Sequence, residues 1–330
     1  MRKIALLHWE RTQRSGVNGS ARLKRRNLTI LNRSDLMGNL YRAISADGSA
    51  FAAVIDAKDI VSQIEKIHET SAVVTAALGR LSIAASLMGY MLKGEDDSIT
   101  LRIDADGQTG QLVAVADSRG NVKSTVNNPV VEIPLNSKGK LDVAGAVGKN
   151  GTLSVVKDMG MREPYVGVIP LVSGEIAEDI ASYYATSEQI PTVCALGVLV
   201  NEDLSVRSAG GFLVQLLPFA DEKCIDIIEK NVQNMRPVSA LLSEGTSPQE
   251  IADMLLDGLE PNELDSANPV YKCDCSRSRT EKVLISIGKK ELLSIADEGK
   301  DTEVSCHFCG KKYIFSPDEI RHLAEDSSDE

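Results

Sequence analysis

Four cysteines near the C-terminal end are the side chains most able to do chemistry. They are spaced Cys273-Asp274-Cys275, thirty residues, then Cys306-His307-Phe308-Cys309. Two close pairs of thiolates can close a tetrahedral Zn²⁺ site. The same four sulfurs can make two disulfides, and a chain able to pass between these states can carry a redox switch. The C-x-C pair sets the pattern apart from a ribbon of two C-x-x-C turns. Residues i and i+2 of an extended segment share a face with Cα atoms ~6.6 Å apart, near the upper end of disulfide geometry. Bonding Cys273 to Cys275 therefore requires a bent backbone. On spacing alone a switch and a constitutive structural zinc site are both open. A thioredoxin-like oxidoreductase would need the Cys306/Cys309 motif at a helix N-terminus after a central strand. Here it falls in a tail, before a short strand.

The other reactive side chains form no constellation. His307 sits between the two cysteines of a turn and is expected to point away, which leaves a Cys₄ set for one Zn²⁺. His322 reads as an exposed helix residue. Cys194, in an apolar strand, and Cys224, in a helix, read as buried or half-buried free thiols. The segment Gly145-Ala146-Val147-Gly148-Lys149 invites a phosphate-loop reading, but that pattern needs Gly at 143 and Ser or Thr at 150. This chain has Val143 and Asn150 there. No dinucleotide fingerprint or nucleophile elbow is present, so no enzyme is expected.

Composition narrows the classes further. Hydrophobic residues make up 43% of the 330 and aromatics only 4%, so the core must be built mainly from Leu, Ile, Val and Ala. No apolar run approaches the ~18 residues that span a bilayer, and no membrane role is expected. The net charge of −11 is uneven. Residues 1–36 carry nine Lys/Arg against two Asp/Glu, a local charge of +7, while residues 37–330 carry twenty-seven against forty-five, or −18. An acidic body repels phosphate backbones, which argues against a nucleic-acid partner. Six cysteines, four at metal-ligand spacing and no secretory signal before them, suit the reducing cytoplasm. Residues 1–36, Arg-rich and without a sustained period, read as a disordered and dispensable extension or a start placed too far upstream.

The elements that must position the cysteines are an α+β assembly. Residues 40–46 and 49–55 form a hairpin across Asp47-Gly48. Residues 58–69 carry a helical apolar stripe, and residues 72–92 make a longer, Ala-rich helix buried on several sides, with Gly79 and Gly89 inside it. Strands are expected at 98–104, 110–116 and 122–126. A hairpin is expected from 141–147 and 152–156, then a strand at 166–172. Ser173 is the expected N-cap of a helix over 174–187. Residues 192–200 and 204–217 form a further hairpin. From Phe219 the pattern turns helical in three interrupted pieces, the third opened by Ser247-Pro248-Gln249-Glu250. The boundaries expected are an α+β core with a mixed sheet and packed helices over 37–218, a helical linker over 219–267 and a small zinc-binding domain over 268–330. A domain of ~60 residues buries too little surface to be comfortable alone, and a structural Zn²⁺ can supply ~10–16 kcal/mol of apparent folding free energy.

At Tyr271-Lys272-Cys273-Asp274-Cys275-Ser276 and Cys306-His307-Phe308-Cys309 the chain resembles the bacterial thirty-three-kilodalton chaperonin family, the redox-regulated heat-shock holdases. Gly174-Glu175-Ile176-Ala177-Glu178-Asp179, with Tyr183-Tyr184 and Ser187-Glu188-Gln189 after it, resembles the family's core. So does Ala209-Gly210-Gly211-Phe212-Leu213-Val214-Gln215-Leu216-Leu217-Pro218. The resemblance runs from about residue 37 to about 323; residues 1–36 depart from it. It implies an ATP-independent holdase, off when reduced and zinc-bound, in which oxidants form Cys273–Cys275 and Cys306–Cys309 disulfides. The zinc is then lost, the linker unfolds, unfolding client proteins bind, and a homodimer forms. The linker helices are amphipathic but broken at Pro237, Gly245 and Pro248, so docking, expected on the zinc domain, must stabilise them. Once freed, Ile225, Ile228, Leu241, Leu242, Met254 and Leu255 would offer clients an apolar surface. The competing readings are a zinc-stabilised binding protein without a switch and a thiol-disulfide oxidoreductase.

Overall fold

The structure, a computed structural model, describes residues 38–218 and 220–325. The extension expected over residues 1–36 lies outside the described residues, as does Phe219.

The expected first hairpin is present as β1 (Leu40–Ile44) and β2 (Ala50–Asp56). Helices α1 (Lys58–His68) and α2 (Ala72–Tyr90) follow. Then come β3 (Ser98–Ala105), β4 (Leu112–Asp117) and β5 (Val122–Val126). A five-residue α3 (Val143–Val147) leads to β6 (Gly151–Asp158) and β7 (Tyr165–Pro170). Helix α4 (Ala177–Tyr183) runs into a π-turn at Tyr184–Glu188, and the long hairpin β8 (Thr192–Val200) and β9 (Val206–Leu216) completes the core. The strands make two five-stranded antiparallel sheets. One has the order β5-β4-β3-β6-β7, and the other contains β1-β2-β9-β8.

Helix α2 is the axis of this core. Its side chains Leu78, Leu81, Ile83 and Leu87 are fully buried among residues of both sheets, among them Ile55, Leu213, Ile99 and Leu101. Burying one such side chain contributes about 1.5–3 kcal/mol. The two glycines inside it mark close approaches. A Cβ at Gly79 would lie 2.9 Å from Val61 Cγ1, and one at Gly89 would lie 2.7 Å from the Asp117 carbonyl oxygen. This helix corrects the expectation that no segment is long and apolar enough to cross a membrane. Its 19 residues pass by length and composition, with a mean hydropathy of 1.5 over 18 residues, but 89% of that window is buried inside the protein. It is the core helix of a two-sheet sandwich.

The sheet containing β1-β2-β9-β8, sheet one, is covered on both faces, and the β5-β4-β3-β6-β7 sheet is sheet two. Phe51, Ala53 and Ile55 of β2 face α2, while Ala50, Ala52 and Val54 face a second apolar cluster. That cluster is closed by α5 (Glu222–Asn234), α6 (Val238–Ser243) and α7 (Pro248–Leu255). Ser247 caps α7 and Pro248 takes its first position, as expected, and Glu250 completes a capping box with Ser247. The region expected as purely helical then ends in a strand, β10 (Asn262–Ala267), which pairs antiparallel with β1 from Leu40↔Ala267 to Ile44↔Asn262. Its side chains are exposed or half-buried. It is held by its backbone and by the Arg42–Asp265 ion pair, so no apolar alternation advertises it.

Two further expectations are overturned. Residues 141–147 are not a strand: Asp142 accepts the Gly145 N–H at 3.0 Å and caps α3, whose Val143, Ala146 and Val147 are buried. Strand β6 pairs instead with β3 and β7. Ser173 is not the cap of α4. The buried Asp179 carboxylate gathers the N–H groups of Val172, Ser173, Gly174 and Ile176 at 2.7–3.1 Å, which bends the chain and delays the helix to Ala177.

The tail contains α8 (Arg277–Ile285), α9 (Lys289–Asp297), the hairpin β11 (Thr302–Ser305) and β12 (Lys312–Phe315), and α10 (Pro317–Glu325). Its core is seven buried residues: Leu284, Leu292, Ala296, Tyr313, Phe315, Ile320 and Ala324. Ser316 and Glu319, three residues apart before an apolar run, form a reciprocal cap at the start of α10, at 2.8 and 3.3 Å.

Candidate metal and redox centre

The four cysteines converge. Their sulfurs all lie within 4.8 Å of one another, each half-buried, and they are the metal-competent group found among the described residues. Contacts of hydrogen-bond range join Cys273 to Cys306 at 3.7 Å and Cys275 to Cys309 at 3.4 Å. A tetrahedron of sulfurs at ~2.3 Å from a Zn²⁺ has edges of about 3.8 Å, so the donor set fits that ion in number, type and spacing.

The chain builds this geometry from two short pieces. The Cys306–Cys309 knuckle is closed by Gly310 N–H to Cys306 C=O and Cys306 N–H to Lys311 C=O, both 2.9 Å, with Gly310 at φ +68°. A Cβ is disfavoured there, which explains a glycine directly after the last cysteine. The Cys273/Cys275 pair precedes α8, whose N-cap Ser276 accepts the Arg279 N–H at 3.2 Å. His307 is exposed and outside the cluster, and His322 is exposed 3.5 Å from Glu325, both as expected.

The electrostatics favour shared negative charge. Burial pushes the Cys275 thiol up, but the Tyr313 hydroxyl, 3.2 Å away, and the neighbouring thiols bring it down to about 7. Burial pushes Cys273 up to about 12, and Cys309 is also raised, chiefly by burial. One thiolate forms readily at the expense of the rest, and a dication is what would let all four ionise together. A cleft of about 300 Å³ lined by Cys273, Cys275, Cys306, Val283 and Val304 opens onto the sulfurs. Cys194 and Cys224 take no part: the first packs half-buried on the core, and the second is buried and accepts from Ser49 Oγ at 3.2 Å.

Several residues that hold this centre to the core carried no assigned role in the sequence. Residues 270–272 lie along β5, with Val122 N–H to Val270 C=O at 3.0 Å and Lys272 N–H to Val122 C=O at 2.9 Å. The Tyr271 hydroxyl accepts the Ser124 N–H at 3.2 Å, and its one proton is shared between the carbonyls of Ser124, at 3.0 Å, and Phe308, the latter inside the knuckle. Lys123 pairs with Asp274 and lies 5.3 Å from the Phe308 ring. Burial raises the Asp274 carboxyl, but Lys123 and Arg279 together hold it at about 2. The sequence signal for Tyr271 and Asp274 was their place beside the C-x-C pair in the motif that carries the family resemblance; Lys123 had none.

The expected client-binding residues are mostly covered. Ile228, Leu241, Leu242 and Leu255 are buried in the second cluster, Ile225 is half-buried, and Met254 is 45% exposed. The linker helices dock on β1, β2 and β9 rather than on the tail, which corrects the expectation that the zinc domain is their docking surface. The tail's seven-residue core is too small to offer one.

Comparison with known proteins agrees with this architecture. The 33 kDa chaperonin of Clostridium botulinum (strain Alaska E43 / Type E3) is 48% identical over 269 residues, 82% of this chain and 91% of that protein. The 33 kDa chaperonin of Clostridioides difficile (strain 630) is 47% identical over 287 residues, 87% of this chain and 98% of that one. The crystal structure of the 33 kDa chaperonin (heat shock protein 33 homolog) from Thermotoga maritima superposes with a TM-score of 0.79 at 37% identity, covering 87% of this chain and 98% of its own. The family model described as Hsp33 protein matches residues 38–316. That span takes in the two-sheet core, the helices beneath it and all four cysteines, and it shows that this chain belongs to the Hsp33 family of redox-regulated chaperones.

Proposed function

We propose that the chain is an ATP-independent holdase whose activity is set by Cys273, Cys275, Cys306 and Cys309. The observation that carries this reading is the convergence of four sulfurs within 4.8 Å on a domain whose core, among the described residues, is seven buried side chains. When bound, one Zn²⁺ supplies the folding free energy that such a core lacks. Three working parts follow: a core over 37–218, a linker over 219–267 and a redox domain over 268–330.

Oxidation acts on the thiolates. Two thiolates joining as a disulfide release two electrons, so the four give up four. Two equivalents of peroxide accept these with four protons and form four waters. The pairing the family implies, Cys273–Cys275 and Cys306–Cys309, joins sulfurs within each sequence pair, whereas the hydrogen-bond-range contacts run between the pairs. Closing local disulfides therefore takes the tetrad apart. The sulfurs then no longer tie residues 270–275 to the knuckle, and the strap of residues 270–272 along β5, which follows β10 in the chain, loses its anchor. Helices α5–α7 lie in the chain between β9 and β10. Their loosening would bare both Ile228, Leu241, Leu242 and Leu255 and the face of Ala52, Val54, Phe212 and Val214 beneath them. Unfolding clients bind there, and a homodimer forms in the oxidised state.

The test is suppression of a heat-unfolding client's aggregation by reduced, zinc-loaded protein and by peroxide-treated protein in parallel. Suppression only by the oxidised form is expected. Equal suppression by both would replace the switch with a constitutive zinc-stabilised chaperone.

A further inference from the structure

Strand β5 is an edge of sheet two, with β4 on its other side. An edge strand presents N–H and C=O groups that need partners and is a template for another extended chain. Val122 meets residues 270 and 272 with the two-bond pattern of a parallel strand, and the bridge Val122↔Tyr271 is parallel. One peptide further on, the pairing changes character. The N–H and C=O of Ser124 are met by the Tyr271 phenol, at 3.2 and 3.0 Å, where the next peptide of a continuing strand would sit. His68 Nε2, from the end of α1, lies 2.9 Å from the same carbonyl and closes the edge beyond it. The edge is thus covered by a three-residue strand and one side chain that stands in for a fourth peptide. The next residue, Cys273, is a member of the sulfur cluster.

We propose that the outer edge of β5, at Val122 and Ser124, is a docking site for an extended segment of unfolded polypeptide, filled in this structure by the chain's own residues 270–272. The occupant is recognised through its backbone, by strand addition, so the site tolerates sequence, which suits a protein that meets many unfolding chains. The chain's own occupant indicates the side chains that fit. An aromatic residue takes the place of Tyr271, and an acidic residue near it meets Lys123, which Asp274 holds here. The site is distinct from the apolar face under α5–α7, because it lies on the other sheet. This inference rests on the proposed function, since the strap must leave before a client can enter.

The test is hydrogen exchange of the full chain resolved to the Val122 and Ser124 amides. The probe client is reduced, carboxymethylated lactalbumin, which stays unfolded, and its co-elution with the chain is measured on the same samples. Both amides are expected to be protected in the reduced, zinc-loaded protein and to exchange fast after oxidation. With client bound they should slow again by about tenfold or more. Client bound with both amides still fast overturns the β5 site and leaves the holdase reading intact, as does protection that persists after oxidation without client. No client bound by oxidised protein overturns the holdase reading and this site with it. Tyr271→Phe supplies the second measurement. In the reduced protein it should speed exchange at Ser124 and leave Val122 protected; unchanged exchange at Ser124 would refute the phenol as a stand-in peptide and the site built on it.

Discussion

The core around α2 and the tail around the four sulfurs solve the same problem with different means. The core closes two sheets on a helix whose residues 73–79 and 81–89 are all buried, and needs nothing but its own side chains. The tail buries seven residues and leaves Val283, Ile287, Leu293 and Ile314 exposed. Apolar area scales unfavourably in a unit this small, so a crosslink at the sulfurs has to supply what packing does not. A fold held by burial responds to heat and denaturant. A fold held by four thiolates also responds to oxidants and chelators. On the proposed function, the difference would put a chemically addressable weak point in residues 268–330, about a fifth of the chain, while the core around α2 stays folded.

The sharpest way to break this comparison is Cys306→Ser. Loss of one of four ligands should release Zn²⁺ and with it much of ~10–16 kcal/mol of apparent folding free energy. Metal analysis should then find no zinc, and tail amides should lose protection while those of β3 and β9 keep it. Full zinc occupancy in this variant would end the four-sulfur assignment.

The converse change is Leu101→Ala in the core, where Leu101 is fully buried. Cavity formation should cost about 2–5 kcal/mol, read as a lower core melting temperature. Zinc content and the need for oxidant should not change. A loss of zinc here would show that the two regions are not separable.

Leu255→Ala probes the linker helices, which lie between core and tail in the chain and pack on sheet one. Leu255 is fully buried under α7 against β1 and β2, and a similar loss, about 2–5 kcal/mol, would act on the weakly held linker. Aggregation suppression without oxidant, with zinc retained, is expected. Continued dependence on oxidant would place the switch elsewhere.

Gly79→Ala should cost about 1–3 kcal/mol by overpacking, because its Cβ would press on Val61 and Val198, at 2.9 and 3.1 Å. A stability equal to wild type would mean that α1 and β8 can move apart freely.

The smallest effect expected is on pH dependence. Burial lowers the His68 pKa below its usual 6.5, opposed by its bond to the Ser124 carbonyl. The unfolded chain then binds the proton more readily, so the stability at stake is complete above pH 6.5 and declines as pH falls below it. Comparing urea midpoints of wild type and His68→Gln from pH 7.5 to 5 checks the sign. A variant whose midpoint falls with acid as steeply as wild type would remove His68 from the account.

Much of this protein was determined locally and could be read without coordinates. The spacing of Cys273, Cys275, Cys306 and Cys309 pointed to a four-sulfur cluster, because each close pair keeps its two sulfurs together. Asp47-Gly48, the Ser247/Glu250 and Ser316/Glu319 caps, the apolar stripe of α1 and the near-continuous apolar run of α2 are signals within a few residues of the structure they specify. What tertiary structure alone decided depends on partners far away in the chain. Strand β10 exists because β1, more than 200 residues earlier, offers it a backbone edge, and its own side chains carry no period. Residues 143–147 are apolar enough for a strand and become a helix because Asp142 caps them and α2 receives their buried face. Four bonds to the buried Asp179 outweigh the cap expected at Ser173. The linker rests on sheet one and the tail on the edge of β5 because backbone groups and apolar faces left over at those places can be satisfied only by a segment that returns to them. No local pattern encodes which segment returns.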